Sequence, residues 1–214
     1  MNVERTWQAV EAERAGLVEM LRLLPESAWD EPSLCDGWQV RDVVAHLIQS
    51  ARPTIAWILV NVIRARGDFD RAVREAAVRH ARCRTSAQLL AELRGSIGVR
   101  VAVAGTTPAD RLMDLLVHGQ DIAIPLGIPR EMPSGAARTA LDRLWGQSAP
   151  FHVRTTFNGY RLAATDIGWF VGEGHLIEGS AAAILLLITG RSVALSQLGG
   201  PGAGYWISRH AEAE

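Results

Sequence analysis

From Trp7 onward the apolar residues of this chain return at three- and four-residue steps, and the spacing persists through about two thirds of its 214 residues. In a helix that spacing gathers apolar side chains along one stripe, so this part of the chain must form helices that bury their stripes against one another. Trp7, Val10, Leu17, Leu21 and Leu24 predict one amphipathic helix over residues 4–24, ended by Pro25. Trp29 to Trp38, with Pro32, Asp36 and Gly37, reads as a loop. A second helix starts near Gln39 and is interrupted by Pro53, and residues 53–64 are apolar enough for a core helix. Another spans about Asp70 to Arg82. Thr85 and Gln88 form a capping-box pattern ahead of Leu89, Leu90 and Leu93. Thr107-Pro108-Ala109-Asp110 combines a cap, proline at the first helical position and an acid in the first turn, the clearest helix start in the chain. Gly127 and Pro129 close that helix, and a further one covers about Ser134 to Gln147.

The composition changes near Pro150. Phe151 to Asp166 alternates in polarity and contains Asn158-Gly159, a strong hairpin signal. Gly179-Ser180 caps a short apolar helix running to Ile188, and Tyr205-Trp206-Ile207 reads as a last strand. Gly199, Gly200, Gly202 and Gly204 match neither phosphate-binding loop pattern and read as a flexible turn before it. The expectation is a helical domain over residues 1–149 and a small α/β domain over residues 150–214.

Basic and acidic residues nearly balance, 22 against 23, and no basic stripe with interleaved aromatics suggests a nucleic-acid surface. Every basic residue is Arg, which fits a GC-rich, actinobacterial type of source. No positive patch followed by an apolar stretch opens the chain, so no signal peptide is expected. The longest apolar run, Ala181 to Ile188, is too short to span a bilayer. Cys35 and Cys83 form no CxxC pattern, so a cytoplasmic protein with reduced thiols is expected, with Cys35 a small half-buried side chain.

Chemistry enters with three residues on two helices. Asp114 and His118 are four apart, a step that places them on one helical face with Cβ atoms about 5–6 Å apart. His46 lies in the apolar run Val43-Val44-Ala45-His46-Leu47-Ile48, at the edge of a core. Two imidazoles and one carboxylate suit zinc, or nickel or iron, with one coordination position left open. Asp121 follows His118 by three residues and is placed to orient it from behind the metal. The same spacing admits a plainer reading, because Asp110, Asp114, His118 and Asp121 also describe the wet face of an amphipathic helix, opposite Leu112, Leu115 and Leu116. His80, His152, His175 and His210 have no partner at ligand spacing.

The segment Leu34-Cys35-Asp36-Gly37-Trp38-Gln39-Val40-Arg41-Asp42-Val43-Val44-Ala45-His46-Leu47 resembles the N-terminal signature of the mycothiol-dependent maleylpyruvate isomerase-like family, within the DinB-like superfamily. Asp114 to Ile122 is similar to its second signature, and Thr165-Asp166, Gly172-Glu173-Gly174 and Thr189-Gly190-Arg191 are similar to its C-terminal domain. The resemblance implies a mainly α protein: a DinB-like antiparallel four-helix bundle followed by a small α/β sterol-carrier-like C-terminal domain. It implies a divalent metal on His46, Asp114 and His118, and an arginine late in the chain, matched by Arg209, that assists catalysis. Better characterised members carry Glu at the acidic position, so Asp114 reaches about one methylene less far. Gln39 replaces the Thr that often caps the second helix.

The function expected is that of a divalent-metal-dependent thiol transferase or isomerase using a low-molecular-weight thiol, mycothiol, on a small-molecule electrophile. Metal coordination lowers a thiol's pKa, and the thiolate then attacks an electrophilic carbon. A monomer or homodimer is expected, without nucleic-acid or membrane partners. Two alternatives stay open: metal-assisted hydrolysis with water in the open position, and a non-catalytic module binding an apolar metabolite, with Trp57, Trp145, Trp169 and Trp206 lining its pocket.

Overall fold

A computed structural model of the chain describes residues 1–102, 105–147 and 151–211. Its residues group into two compact units, Met1–Arg130 and Glu131–Glu214. The domain junction expected at residues 149 and 150 lies outside the described residues, as does the side chain of Trp57.

The first unit contains helices α1 (Val3–Arg22), α2 (Val40–Ala51), α3 (Ile55–Arg64), α4 (Phe69–Arg82), α5 (Ser86–Arg94) and α6 (Pro108–Ala123). Each start has a local cause. Asn2 Oδ1 accepts from the Arg5 N–H at 2.9 Å ahead of α1. Asp42 accepts from the Gln39 N–H at 3.0 Å at the head of α2, so the half of a capping box that relies on the acid survives the absence of a Thr. Thr85 and Gln88 exchange both capping bonds, at 2.9 and 3.2 Å. Asp110 accepts from the Thr107 N–H at 2.7 Å. Helix α6 packs on both α1 and α2, α2 packs on α4, and α5 closes the ring by packing on α1 and α2. The core inside is built from Val10, Leu17 and Leu21 of α1, Val40, Val43, Val44 and Leu47 of α2, Leu89 and Leu93 of α5, and Leu112 and Leu116 of α6, all nearly or fully buried.

Helix α3 departs from the expected core helix. It packs on α4, yet Ile55, Leu59, Val60 and Ile63 remain exposed. An apolar composition reports that a helix is able to be buried, whereas only the arrangement of its neighbours decides whether it is.

In the second unit, α7 (Ser134–Gly146) packs on α9 (Ala181–Ile188) through a face with buried Ala137, Ala140, Leu141 and Leu144. Between them lie a short helix α8 (Val153–Thr156) and strands β1 (Tyr160–Ala164), β2 (Trp169–Gly172) and β3 (His175–Gly179). The sheet order is β2-β1-β3, with β1 antiparallel to β2 and parallel to β3. Asn158-Gly159 does not turn a hairpin. It lies between α8 and β1, and the hairpin closes instead through residues 165–168, where Gly168 takes a positive φ.

The expected last strand is also helical. Tyr205, Trp206 and Ile207 lie in α10 (Pro201–Ala211), which packs on β3. A Cβ on Gly202 would stand 2.7 Å from the carbonyl oxygens of His175 and Leu176, so the glycines that read as a flexible turn permit close approach of a helix to a strand. Trp206 is buried there, stacked on Phe157 with ring centroids 4.3 Å apart. Trp169 is buried too, its indole N–H donating to Asp142 at 2.9 Å. Among the described residues no helix is long and apolar enough to cross a membrane.

Candidate metal centre

Packing of α2 on α6 brings His46 to the pair on α6. Its Nε2 lies 3.2 Å from Asp114 Oδ1, and His118 Nε2 lies 3.5 Å from the same oxygen. One donor atom from each of the three residues lies within 4.8 Å of the others, a spread that one cation can span. The imidazole centroids are 4.8 Å apart with the rings steeply inclined at 70°, so both present ring edges toward the carboxylate. Ser50, one turn after His46, donates its hydroxyl to Asp114 Oδ2 at 2.9 Å. This bond occupies one carboxylate oxygen and leaves the other facing the histidines. Burial pushes the Asp114 carboxyl up, but His46, His118 and Arg111 together outweigh it and hold the group well below the usual carboxylate range. Asp114 is therefore an anion at neutral pH, as a ligand must be.

Asp121 is fully buried, so this face of α6 is not a solvated stripe. Its Oδ2 lies 2.8 Å from His118 Nδ1. An ionised carboxylate only accepts, so Asp121 takes a hydrogen bond from Nδ1–H and leaves Nε2, 3.5 Å from Asp114 Oδ1, as the nitrogen that would meet a metal. The donor set thus fits a divalent cation: two imidazole nitrogens, one anionic oxygen, and a carboxylate behind one imidazole.

Residues beyond the expected set complete the site. The loop ahead of α2 is tied to α6 by the Leu34 N–H, which donates to the Asp121 carbonyl at 3.0 Å. This bond carries Cys35 inward, where its thiol donates to Asp121 Oδ2 at 3.1 Å and its sulfur lies 3.5 Å from His118 Nδ1. Cys35, His118 and Asp121 form a second group whose donor atoms lie within 4.8 Å of one another. Cys35 is half-buried, as expected of it, and its contacts set it behind His118. Gly37, with φ of 69°, turns the loop, and Trp38 follows as a wall, its ring centroid 5.6 Å from that of His46 and 6.3 Å from that of His118. Asp36-Gly37-Trp38 carried a turn signal, but nothing local in it pointed to the histidines. Arg209 is exposed on α10 of the second unit.

Comparison with known proteins agrees with this architecture. Residues 10–110 match the family model described as the mycothiol maleylpyruvate isomerase N-terminal domain, a span that holds Cys35 and His46 and stops short of Asp114 and His118. The crystal structure of a mycothiol-dependent maleylpyruvate isomerase, and that of a His-to-Ala mutant of it, each align over 95% of this chain and 94% of theirs, with a TM-score of 0.66 and 16% identity. At that identity the likeness is one of fold. No curated protein matches the chain in sequence. Residues 10–110 are thus similar to the mycothiol maleylpyruvate isomerase N-terminal domain, and as a whole the chain has the fold of the mycothiol-dependent maleylpyruvate isomerase.

Proposed function

We propose that the protein is a metal-dependent enzyme that uses a low-molecular-weight thiol, mycothiol, to isomerise or modify a small electrophile, with His46, Asp114 and His118 holding the metal. The observation that carries this reading is the convergence of the three donor atoms within 4.8 Å, backed by the buried carboxylate of Asp121 on His118 Nδ1. A divalent cation, zinc by preference for this donor set, supplies Lewis acidity that lowers the pKa of a thiol and so readies it to attack an electrophilic carbon.

The chain's own residues prepare that chemistry. Asp121 fixes the tautomer and ring orientation of His118, and Ser50 restrains the second oxygen of Asp114. The buried Trp38 ring stands beside both histidines, its centroid 5.6 Å from that of His46 and 6.3 Å from that of His118. Asp114, shorter than the Glu of better characterised family members, sets its carboxylate closer to α6. Arg209 is proposed to assist catalysis, on the strength of the family resemblance. The reading includes a cytoplasmic location.

Elemental analysis of the purified protein, followed by mycothiol titration of a cobalt-substituted sample, tests it. One metal equivalent and a near-ultraviolet thiolate-to-cobalt absorption are expected. A chain that takes up no stoichiometric metal removes the proposal. Hydrolysis of esters without added thiol would instead place water in the thiol's role.

A further inference from the structure

Residues 53–63 carry no charge, in a chain of which 21% is charged. They form most of α3, which packs on α4 through a side where Asn61 is buried and its Oδ1 accepts from Arg79 Nη2 at 2.6 Å. The other side is open: Ile55 is 69% exposed, Leu59 56%, Val60 47% and Ile63 74%. At 100° per residue Ile55, Leu59 and Ile63 fall within about 80° of one another, with Val60 beside them. Phe69, 56% exposed, follows at the head of α4. Together these five side chains offer on the order of 500 Å² of apolar surface, in the upper range for the largest patch on a soluble monomer. Single exposed apolar residues are ordinary, whereas a continuous uncharged face on one helix marks a contact surface.

A second copy of the chain fits this face. The stripe Ile55, Leu59, Ile63 is symmetrical about its middle residue. A half-turn about an axis through Leu59 lays Ile55 of one copy on Ile63 of the other and Leu59 on Leu59, the self-complementarity that a two-fold dimer requires. Antiparallel pairing also opposes the two helix dipoles and brings no like charges together along the stripe. Beyond its end the same rotation would carry Arg52 toward Arg66, but Arg52 is engaged elsewhere, its Nη2 donating to the Gly95 carbonyl at 3.1 Å. The two faces together bury about 1,000 Å², the lower bound of a specific interface. A helix that lies on lipid instead carries a strongly charged face opposite its apolar one, and the side of α3 opposite this patch holds buried Asn61.

We infer that the exposed face of α3 is a homodimer interface, in which the α3 helices of two copies pair antiparallel about a two-fold axis at Leu59. This assignment is independent of the reading of the metal centre.

Sedimentation velocity of the full chain from about 1 to about 100 μM tests it. An interface of this size is expected to give a dimer with a dissociation constant on the order of 10 μM. Leu59→Glu sets two carboxylates face to face on the axis and is expected to leave a monomer throughout, a loss of at least about 10-fold in affinity, with unchanged helical circular dichroism. Ile63→Glu is expected to do the same, and adding Ile55→Lys to it to restore the dimer, because opposite charges then meet twice across the axis. A wild type that is monomeric at every concentration overturns the inference. So does a dimer that Leu59→Glu leaves intact, or a double variant as monomeric as Ile63→Glu. Should Leu59→Glu fail to fold, Ile63→Glu and the double variant decide alone. A monomeric wild type that co-floats with vesicles of phosphatidylcholine and phosphatidylglycerol gives the face to a lipid surface and overturns the dimer.

Discussion

Asp121 places its solvent-shielded carboxylate 2.8 Å from Nδ1 of His118, one turn earlier on the same helix. That bond decides which imidazole nitrogen carries hydrogen and so which can hold a metal. It also shares its oxygen with the Cys35 thiol, binding the loop ahead of α2 into the same unit.

Asp121→Asn is expected to weaken zinc binding by about 10–100-fold, because an amide can offer a donor to Nδ1 and favour the wrong tautomer. Competition with a chromophoric chelator measures it, with a thermal melt to check folding. Zinc affinity within threefold of wild type would show that the bond does not tune the site.

His46→Ala and His118→Ala are each expected to abolish stoichiometric metal while leaving the helical circular dichroism intact, since both side chains sit at the edge of the core rather than inside it. Wild-type zinc content in both variants would dismiss the site as drawn.

Gly202→Ala and Gly204→Ala are expected to move stability in opposite directions. A methyl at 202 meets two carbonyl oxygens at 2.7 Å and should cost about 1–3 kcal/mol. At 204 the space is open, and the better helix former should add up to about 1 kcal/mol. Urea denaturation distinguishes them, and equal effects would contradict the seating of α10 on β3.

Glu92 lies 2.6 Å from both His80 Nε2 and Arg84 Nε. Burial raises its pKa, but the bonds to Arg84 and His80 outweigh that and hold it below the usual carboxylate range. A carboxylate whose pKa is lower folded than unfolded adds stability above its unfolded value of about 4.3, and that contribution is lost as pH falls through the folded value. Wild type should therefore melt above Glu92→Gln at about pH 5, with the gap closing toward about pH 2.5. A gap that stays constant across this range would refute the assignment.

Much of the helical frame was legible because its signals are local. Thr85 with Gln88 and Thr107 with Asp110 satisfy backbone groups three residues away, so the pattern in the chain is already the contact in the fold. Asp114 and His118 were legible as neighbours for the same reason. The C-terminal segment misled where local preference and packing disagree: Tyr205-Trp206-Ile207 favours a strand, yet burial of Trp206 against Phe157 and Tyr160 holds it in a helix.

The sequence alone determined which residues could meet within one helical turn and where most helices begin, since those interactions span a few bonds of chain. Tertiary structure alone decided that His46 reaches Asp114 across 68 residues, that Cys35 reaches Asp121 across 86, and that the polar stripe of α6 faces inward. Such contacts arise when whole helices bury their apolar faces against one another, and that choice of partners is a property of all the faces together.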